Sequence, residues 1–471
     1  MQLTKSCSML IRMKSCLALL IAILCAAPAE ALEPCRIQIV DESNGWPVPL
    51  VELKTTHNVR FVSDNAGVIA FDLPELMNVE TWLSVEGHGY SVKPDGFGFE
   101  GVRVLPRPGE KLTIKVRRKL PAKRLGRTTG GGLFAESQKL GEETNWTEQR
   151  ILGCDSVQNA VHNGKLFWGW GDAVLPNYPL GRFHMLGATT SLQPLKSFEP
   201  PVRLRYDYFT DDRGTPRNVA EMPGSGPTWL GGYVSLPDRD GQPHLVATYS
   251  KIKAPLTEYE QGLCEWNETE GRFEKLRVLW TRTDESPKSP PAPYGHPVFW
   301  KDEAGTEWVL FGDPFPTLKC RATFESWSNP ESWEILHAQS EVEPHPKQTA
   351  PEKPIKPHRG AIAWNAYRKK WVSVFTQMYG DASALGEIWY AEADAPTGPW
   401  KDAIHVVTHN KYTFYNPQLH PEFTDPESPI LLFEATFTHT FSKTETPTPR
   451  NDYNQVLYRL DLDELGARFG K

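Results

Sequence analysis

The sequence predicts an all-β protein, a five-bladed β-propeller preceded by a small β-sandwich. The first observation is composition, since 16 Trp, 15 Tyr and 21 Phe accompany 41 Pro and 36 Gly, which is typical of short strands and tight turns. The second is that no amphipathic helix of convincing length appears. The third is a pattern of apolar strands that recurs at intervals of roughly 60 to 80 residues in the C-terminal part of the chain.

The N-terminal residues 1–31 have the pattern of a secretory signal peptide. Lys5, Arg12 and Lys14 precede an apolar run at 17–27, and small residues at Ala29 and Ala31 suit cleavage. A membrane span takes about 20 apolar residues, so this run is too short for one. We therefore expect a secreted or periplasmic chain that begins near position 32 and has no membrane span.

Residues 32–118 are expected to form the β-sandwich. Short runs such as CRIQIVD, VPLVELKT and KLTIKVRRK alternate apolar and polar residues and are separated by turn residues. The pattern resembles the transthyretin-like or carboxypeptidase-regulatory type of accessory module. It contains no catalytic cluster, which favours a stabilising or positioning role. Residues 119–144 read as a linker.

Residues 145–471 contain the repeat. Five similar strands, KLFWGWGD, HLVATYS, EWVLFGD, KWVSVFTQ and ILLFE, end at Asp172, Ser250, Asp313, Gln377 and Glu434. Each follows the opening of another strand, at Asp155, Trp229, His296, Gly360 and Pro417. A unit of about 65 residues fits one four-stranded propeller blade, so five units predict five blades. We expect the C-terminal VLYRLDL to close the ring beside a strand near residues 150–152.

In a propeller the first and last residues of each inner hairpin gather around one mouth. That mouth should collect Asp155, Asp172, His296, Asp313, His358, Arg359, Gln377, Asn416, His420 and Glu434. Asp172 and Asp313 share a Gly-Asp context in which an aspartate often caps a turn, so an architectural role and a role in tuning or orienting a catalytic acid both remain open. Asp155 has no turn of its own and no acidic counterpart in the other repeats.

Two carboxyl groups across a glycosidic bond are what glycoside hydrolysis requires, one charged as base or nucleophile and one protonated as acid. Asp155 is the predicted base or nucleophile. The acid remains open between Glu434, at the end of the second strand of blade five, and Glu387, which begins the third strand of blade four.

The other polar residues at the mouth suit binding. His296, His358, Arg359, Gln377, Asn416 and His420 could bind hydroxyl or carboxylate groups, and the arginine would favour an acidic sugar. Trp229, Trp170 and Tyr415 could stack on sugar faces or pack within the blades. The His and Asp residues could instead hold a structural cation in the central channel, but HxH and HExxH spacings are absent, so no metal site and no cofactor is predicted.

The net charge bears on the kind of partner, and the cysteine content bears on disulfide bonds. The net charge of -7 argues against a nucleic-acid partner. Four of the seven cysteines, Cys35, Cys154, Cys264 and Cys320, lie beyond the signal segment and permit one or two disulfides, with three full pairings open.

The motifs also resemble a known family. DSVQNAVHNGKLFWGWGD looks like the first-blade signature of five-bladed propeller glycosidases, and GEIWYAEADAPTGPW looks like a blade edge of glycoside hydrolase family 43 and its relatives. The resemblance covers about 320 residues and implies that Asp155 is the base, with Asp172 or Asp313 tuning the acid. The family's acid usually opens blade three, where this sequence has Tyr294-Gly295-His296-Pro297.

The favoured hypothesis is an exported glycoside hydrolase, or less readily a lyase, that acts on a plant or algal polysaccharide or oligosaccharide. The alternative is a non-catalytic propeller of the cell envelope that binds carbohydrate or protein at the same mouth.

Overall fold

The computed structural model describes residues 32–147, 150–176, 185–409, 412–440, 442, 448 and 450–470. The predicted signal peptide, 1–31, lies outside them. The described chain is almost entirely β, as the sequence predicts. None of the helices in the described ranges has the length and hydrophobicity needed to cross a bilayer.

The N-terminal unit consists of two four-stranded sheets. Their strands are β1 (Cys35–Asp41), β2 (Glu52–Thr55), β3 (Arg60–Val62), β4 (Val68–Phe71), β5 (Thr81–Glu86), β6 (Tyr90–Ser91), β7 (Gly101–Val104) and β8 (Lys111–Arg118). The sheet orders are β4-β1-β8-β6 and β3-β2-β5-β7, and only β1 and β8 pair in parallel. Burial alternates along β1, so one face is inside. Ile37, Ile39, Leu53 and Leu83 share one apolar core between the two sheets.

Five further four-stranded antiparallel sheets follow in the described residues. Sheet 1 has β11 (Gln158–His162), β12 (Lys165–Trp170), β14 (Leu186–Thr190) and β15 (Asp207–Tyr208); sheet 2 has β16 (Thr228–Pro237), β17 (Pro243–Lys253), β18 (Thr257–Asn267) and β19 (Arg272–Thr281). Sheet 3 has β20 (Val298–Lys301), β21 (Glu307–Gly312), β22 (Pro316–Arg321) and β23 (Glu334–Ile335); sheet 4 has β24 (Pro357–Asn365), β25 (Lys370–Gln377), β26 (Glu387–Ala393) and β27 (Lys401–Thr408). Sheet 5 has β28 (Thr413–Leu419), β29 (Ile430–Thr438), β30 (Asn454–Asp461) and, from far upstream, β9 (Lys123–Arg127).

Short elements complete the description. They are the two-stranded pair β10 (Gly153–Cys154) and β13 (Ala173–Val174), the helices α1 (Ala135–Lys139), α2 (Phe324–Ser328) and α3 (Leu462–Phe469), and 3-10 turns at Pro74–Leu76, Leu195–Phe198, Pro330–Ser332 and Pro421–Phe423.

The five repeated strands of the sequence are confirmed as the second strands of the five sheets, β12, β17, β21, β25 and β29. Their residues are buried almost without interruption. A continuous apolar run is the pattern of a strand packed on both faces. Each of these sheets therefore has a neighbour on either side.

The shared cores join the sheets in a closed order. Phe167 and Tyr233 lie in a core between sheets 1 and 2, and the next cores join sheet 2 to 3, 3 to 4 and 4 to 5. The last core returns to the start, because Leu457 and Leu432 of sheet 5 pack with Leu166 and Trp168 of sheet 1. The sheets thus form a ring whose first strands line the centre.

Strand β9 closes this ring, which corrects two expectations. It pairs with β30 through Arg127 and Val456, so VLYRLDL meets residues 123–127 and not residues 150–152. The predicted linker, 119–144, therefore contains a strand of sheet 5 and the helix α1. Arg127, which is 2% exposed, donates to the carbonyl oxygens of Gly131, Gly132 and Arg450 at 2.9 to 3.2 Å and to Asn454 Oδ1 at 3.0 Å.

The N-terminal unit is attached to the ring through the same strand. Arg124 of β9 is buried and donates to the carbonyl oxygens of Pro49, Gly87 and His88 at 2.7 to 3.1 Å. The Asn65 amide both donates to and accepts from the Arg127 backbone at 2.9 Å. The four cysteines Cys35, Cys154, Cys264 and Cys320 are buried and unpaired, so none of the permitted disulfides forms among them.

Ring closure by β9 can be tested through Leu125, which is fully buried between sheets 5 and 1. Leu125→Ala leaves a cavity in that core and should lower the free energy of unfolding by about 2 to 5 kcal/mol in urea titrations. Leu276→Ala, at a position 42% exposed on β19, is the matched control and should change it by only about 0.5 kcal/mol. Equal effects of the two substitutions would contradict the assignment.

Candidate functional site

A small cavity of about 80 Å³ lies at one end of the ring's centre. All five sheets contribute to it at or near the beginnings of their first strands. The lining residues used below are Asp155, Asp172, Trp229, Tyr294, Arg359 and Tyr415. We call it the mouth cavity. Five of these six, all except Tyr294, are candidate residues of the sequence analysis, although Asp155 and Tyr415 are more than 200 residues apart.

Asp155 is half-buried at the base of this cavity. Its backbone pairs with the end of the second strand, since the Asp155 amide donates to the Asp172 carbonyl at 3.3 Å and the Gly171 amide donates to the Asp155 carbonyl at 2.9 Å. The hydroxyl of Tyr453 donates to Asp155 Oδ2 at 2.6 Å. Asp155 is thus held in place by the adjoining strand of sheet 1 and by Tyr453, which immediately precedes β30 of sheet 5.

The surroundings raise the pKa of Asp155 to about 7. Burial is the main cause and the negative charge of Asp172 adds to it, while the hydrogen bonds from Tyr453 and Ser156 and the charge of Arg359 act against it. Asp155 therefore changes charge near neutral pH, where an ordinary aspartate is fully ionised.

Asp172 faces the same cavity from the end of the second strand. The indole N–H of Trp229 donates to Asp172 Oδ1 at 3.1 Å. Burial raises the pKa of Asp172 and the hydrogen bond from Trp229 opposes the increase. Both carboxyl groups are thus less acidic than an aspartate in water.

Asp313, the predicted counterpart of Asp172, has a different role. Its carboxylate accepts from Arg359 Nη1 at 3.0 Å and from the Gly360 amide at 2.8 Å. Burial raises its pKa and Arg359 opposes that effect. The guanidinium group lies 5.3 Å from the ring centre of Tyr415, so Asp313 orients the arginine that lines the mouth cavity.

A second recess of about 280 Å³ adjoins the mouth cavity and shares Arg359 and Tyr415 with it. His358 and Tyr379, which is 67% exposed, also line it. Burial and the charge of Arg359 lower the pKa of His358 to about 4, so its imidazole is neutral.

Three other predicted binding residues lie beside or below the mouth cavity and do not line it. His296 is buried, and burial with the charges of Arg359 and His420 lowers its pKa to about 3. The Asn416 amide donates to Ser156 Oγ at 2.6 Å. Gln377 is fully buried and donates to the Pro354 carbonyl at 3.2 Å. Trp170 is also fully buried, against Trp168, which makes it a core residue.

Glu434, one of the two proposed acids, does not line the mouth cavity. It is fully buried, accepts from Thr128 Oγ1 at 2.6 Å and lies 3.1 Å from His420 Nε2. His420 Nδ1 lies 2.9 Å from Glu422. Although burial lowers the pKa of His420, these two carboxylates outweigh it and raise the pKa to about 9. Glu434 and His420 therefore form a buried ion pair.

Glu387, the other proposed acid, is also absent from the residues that line either space. It is 3% exposed and accepts from the Ala382 amide at 2.9 Å and from Trp389 Nε1 at 3.2 Å. One oxygen thus accepts from the turn before β26 and the other from a tryptophan within β26. The repeat pattern of the sequence does not reveal that Glu434 and Glu387 have these partners.

Tyr294, Ser156 and Tyr453 were not predicted as site residues. Tyr294 stands beside His296 in the segment that departs from the family pattern, and Tyr453 immediately precedes β30. Tyr453 precedes the third strand of sheet 5, where the repeat of first and second strands predicts no site residue. No group of three or more His, Cys, Asp or Glu residues suited to a metal ion occurs in the described part of the chain.

No protein-family model and no curated protein sequence matches this chain. It is similar to an exo-1,5-α-L-arabinanase from a bovine ruminal metagenomic library, with 11% identity over 66% of this chain and 94% of that one and a TM-score of 0.37. It is also similar to a GH43 enzyme from Xanthomonas citri complexed with xylose, with 10% identity over 66% and 87% of the chains and a TM-score of 0.37. A protein of unknown function from Dyadobacter fermentans has 9% identity over 67% and 95%, with a TM-score of 0.38.

The raised pKa of Asp155 should appear in the pH dependence of stability. Because the folded-state pKa lies above the unfolded value, the folded protein loses stability as the pH rises from about 4 through 7. Asp155→Asn removes this loss and should raise the free energy of unfolding by roughly 1 to 3 kcal/mol at pH 8.5, relative to the parent, and by much less at pH 4.5. Urea titrations at both pH values measure the difference.

Asp284→Asn, at an exposed position, is the control and should leave the pH dependence unchanged. If Asp155→Asn instead destabilised the protein equally at both pH values, Asp155 would have an ordinary pKa.

Proposed function

We propose that this chain is an exported glycoside hydrolase, a five-bladed β-propeller with a small β-sandwich in front of it. Residues 1–31 are removed as a signal peptide, 32–118 form the sandwich, and the ring formed by 123–127 with 145–471 carries the active site. The observation that carries the proposal is the mouth cavity, in which Asp155 and Asp172 both have raised pKa values and share aromatic walls.

The different environments of Asp155 and Asp172 indicate which of them is the catalytic acid and which is the base or nucleophile. Burial and the charge of Asp172 both raise the pKa of Asp155, whereas only burial raises that of Asp172 and Trp229 opposes it. A carboxyl group with a pKa of about 7 is still partly protonated at neutral pH, which suits a catalytic acid. We therefore assign Asp155 as the acid and Asp172 as the base or nucleophile, whereas the sequence pattern predicts Asp155 as the base or nucleophile.

The remaining wall groups suit a sugar. The rings of Trp229, Tyr294 and Tyr415 offer apolar faces for the C–H side of a pyranose or furanose ring. Arg359, held by Asp313 at 3.0 Å, offers N–H donors to hydroxyl groups. A plant or algal polysaccharide or one of its oligosaccharides is the proposed substrate.

Loss of either carboxyl group should abolish turnover. Asp155→Asn and Asp172→Asn should each reduce kcat/KM by at least about a hundredfold, as expected when a catalytic acid or base is removed. The assay is release of reducing ends from arabino-, xylo- and galacto-oligosaccharides, and Asp284→Asn is the matched carboxyl control. If polysaccharide retards the parent protein on affinity gels and no reducing ends appear, the non-catalytic binding function is correct.

The role of Asp155 can be tested through Tyr453. With Asp155 as the acid, kcat/KM should fall as the pH rises through about 7. Tyr453→Phe removes the hydrogen bond that lowers the pKa of Asp155, so the fall should move to higher pH. Tyr412→Phe, which also removes a buried phenol but outside the mouth cavity, should leave its position unchanged. A rate that instead rises with pH through 7 would return the base role to Asp155.

A further inference from the structure

The other end of the ring's centre contains a second and larger cavity of about 330 Å³. It is lined by later residues of the first strands of sheets 1, 2, 4 and 5, by residues 296–299 around the start of β20, and by the beginnings of two second strands at Leu166 and Trp371. None of its lining residues belongs to the mouth cavity or to the recess beside it. We call it the channel cavity. Its volume lies at the lower end of the range of roughly 300 to 1,000 Å³ for small-ligand sites.

The rim of the channel cavity carries exposed apolar side chains on three different sheets. Val161, Phe299 and Trp364 are 47%, 58% and 47% exposed. Trp371, which is only 6% exposed, supports Trp364 with its ring centre 5.9 Å away and the planes at 63°. Single exposed apolar residues are ordinary, whereas three around one concavity are characteristic of a binding site.

The wall of the cavity is mainly apolar, with a few polar groups and no cation. No lysine or arginine is among its lining residues. His296 faces it as a neutral imidazole, since its pKa is lowered by burial. Gln418, 8% exposed, donates to Asn159 Oδ1 at 3.0 Å, and its own Oε1 accepts no hydrogen bond from the described residues. The single carboxylate, Glu422, is paired with His420 at 2.9 Å.

These features exclude two classes of ligand. An anion would find no positive charge on the wall and would meet Glu422. A wholly apolar ligand would cover Gln418 and His296 without satisfying their polar atoms, which costs free energy. A neutral ligand with apolar faces and many hydroxyl groups can pack against the aromatic rim and form hydrogen bonds with His296 and Gln418.

We propose that the channel cavity is a second carbohydrate-binding site, which holds one or two neutral sugar units of a glycan against Trp364 and Phe299. The sugar hydroxyl groups face His296 and Gln418. The site does not require Asp155 or Asp172, so it goes beyond the proposed function and is independent of whether the mouth is catalytic. In a hydrolase it would hold a polymer on the face opposite to the mouth.

Isothermal titration calorimetry of the full chain tests this site. The probes are neutral xylohexaose, arabinohexaose and cellohexaose, with trigalacturonic acid as the charged comparison, and every protein carries Asp155→Asn to prevent turnover. Trp364→Ala should raise the Kd of at least one neutral probe about tenfold or more, equivalent to ~1.4 kcal/mol. Phe299→Ala should weaken binding in the same direction, and trigalacturonic acid should not compete.

Two controls keep the outcome specific. Phe97→Ala removes a phenylalanine that is 90% exposed on the N-terminal unit and should leave Kd unchanged. Trp229→Ala alters the mouth cavity and should leave binding at the channel cavity intact. Thermal melts establish that Trp364→Ala is folded, and Trp364→Phe, which keeps an aromatic face, should restore most of the affinity.

Three results would overturn the proposal. One is a Kd that neither Trp364→Ala nor Phe299→Ala alters. Another is binding that Trp229→Ala abolishes while both rim variants retain it, which would place the sugar at the mouth alone. The third is the absence of binding of all three neutral probes at millimolar concentration. Failure of turnover with retained binding at the rim would reject the proposed function and leave this site standing.

Discussion

The structure depends on the burial of every sheet of the ring on both of its faces. Strands such as KLFWGW and ILLFEATFT are buried along almost their whole length, so a sheet with one exposed face would leave rows of apolar side chains in water. Each sheet consequently needs a neighbour on both faces. A linear stack would leave the outer faces of its first and last sheets exposed to water. Closure of sheet 5 onto sheet 1 through Leu457, Leu432 and Leu166 removes both ends.

Closure of the ring determines which polar side chains meet at its centre. Once the first strands face the centre, polar groups at one end of each strand converge without any local motif. Asp155 and Tyr453, 298 residues apart, meet through a hydrogen bond of 2.6 Å. The same crowding partly excludes water, which is why both Asp155 and Asp172 have raised pKa values. Packing of the sheets and the raised pKa values of the two carboxyl groups thus have the same cause.

The repeated features of the fold were predicted well from the sequence. The features that depend on specific hydrogen-bond partners were predicted poorly. Apolar runs and their spacing correctly predicted the second strands and brought Asp155, Asp172, Trp229 and Arg359 to one cavity. The strand β9 was missed because KRLGR is short and charged, and its burial follows only from the specific partners of Arg124 and Arg127. Hydrogen-bond partners of this kind leave no periodic signal.

Glu434 shows the same limit at a single residue. The sequence pattern places it at the end of a second strand, like Asp172, but β29 continues to Thr438 and Glu434 pairs with Gln418 inside the sheet. Thr128, two residues after Leu457's partner Gly126 in β9, donates to Glu434 at 2.6 Å, and His420 lies opposite at 3.1 Å. A protonated His420 between Glu434 and Glu422 neutralises charge that would otherwise be buried alone, since an unpaired buried carboxylate is costly. The fifth repeat therefore uses its acid to secure ring closure, whereas the first uses Asp155 and Asp172 at the mouth. A similar sequence context therefore does not determine where an acid lies along its strand, and the partners that ring closure supplies decide whether that acid is paired in the core or faces a cavity.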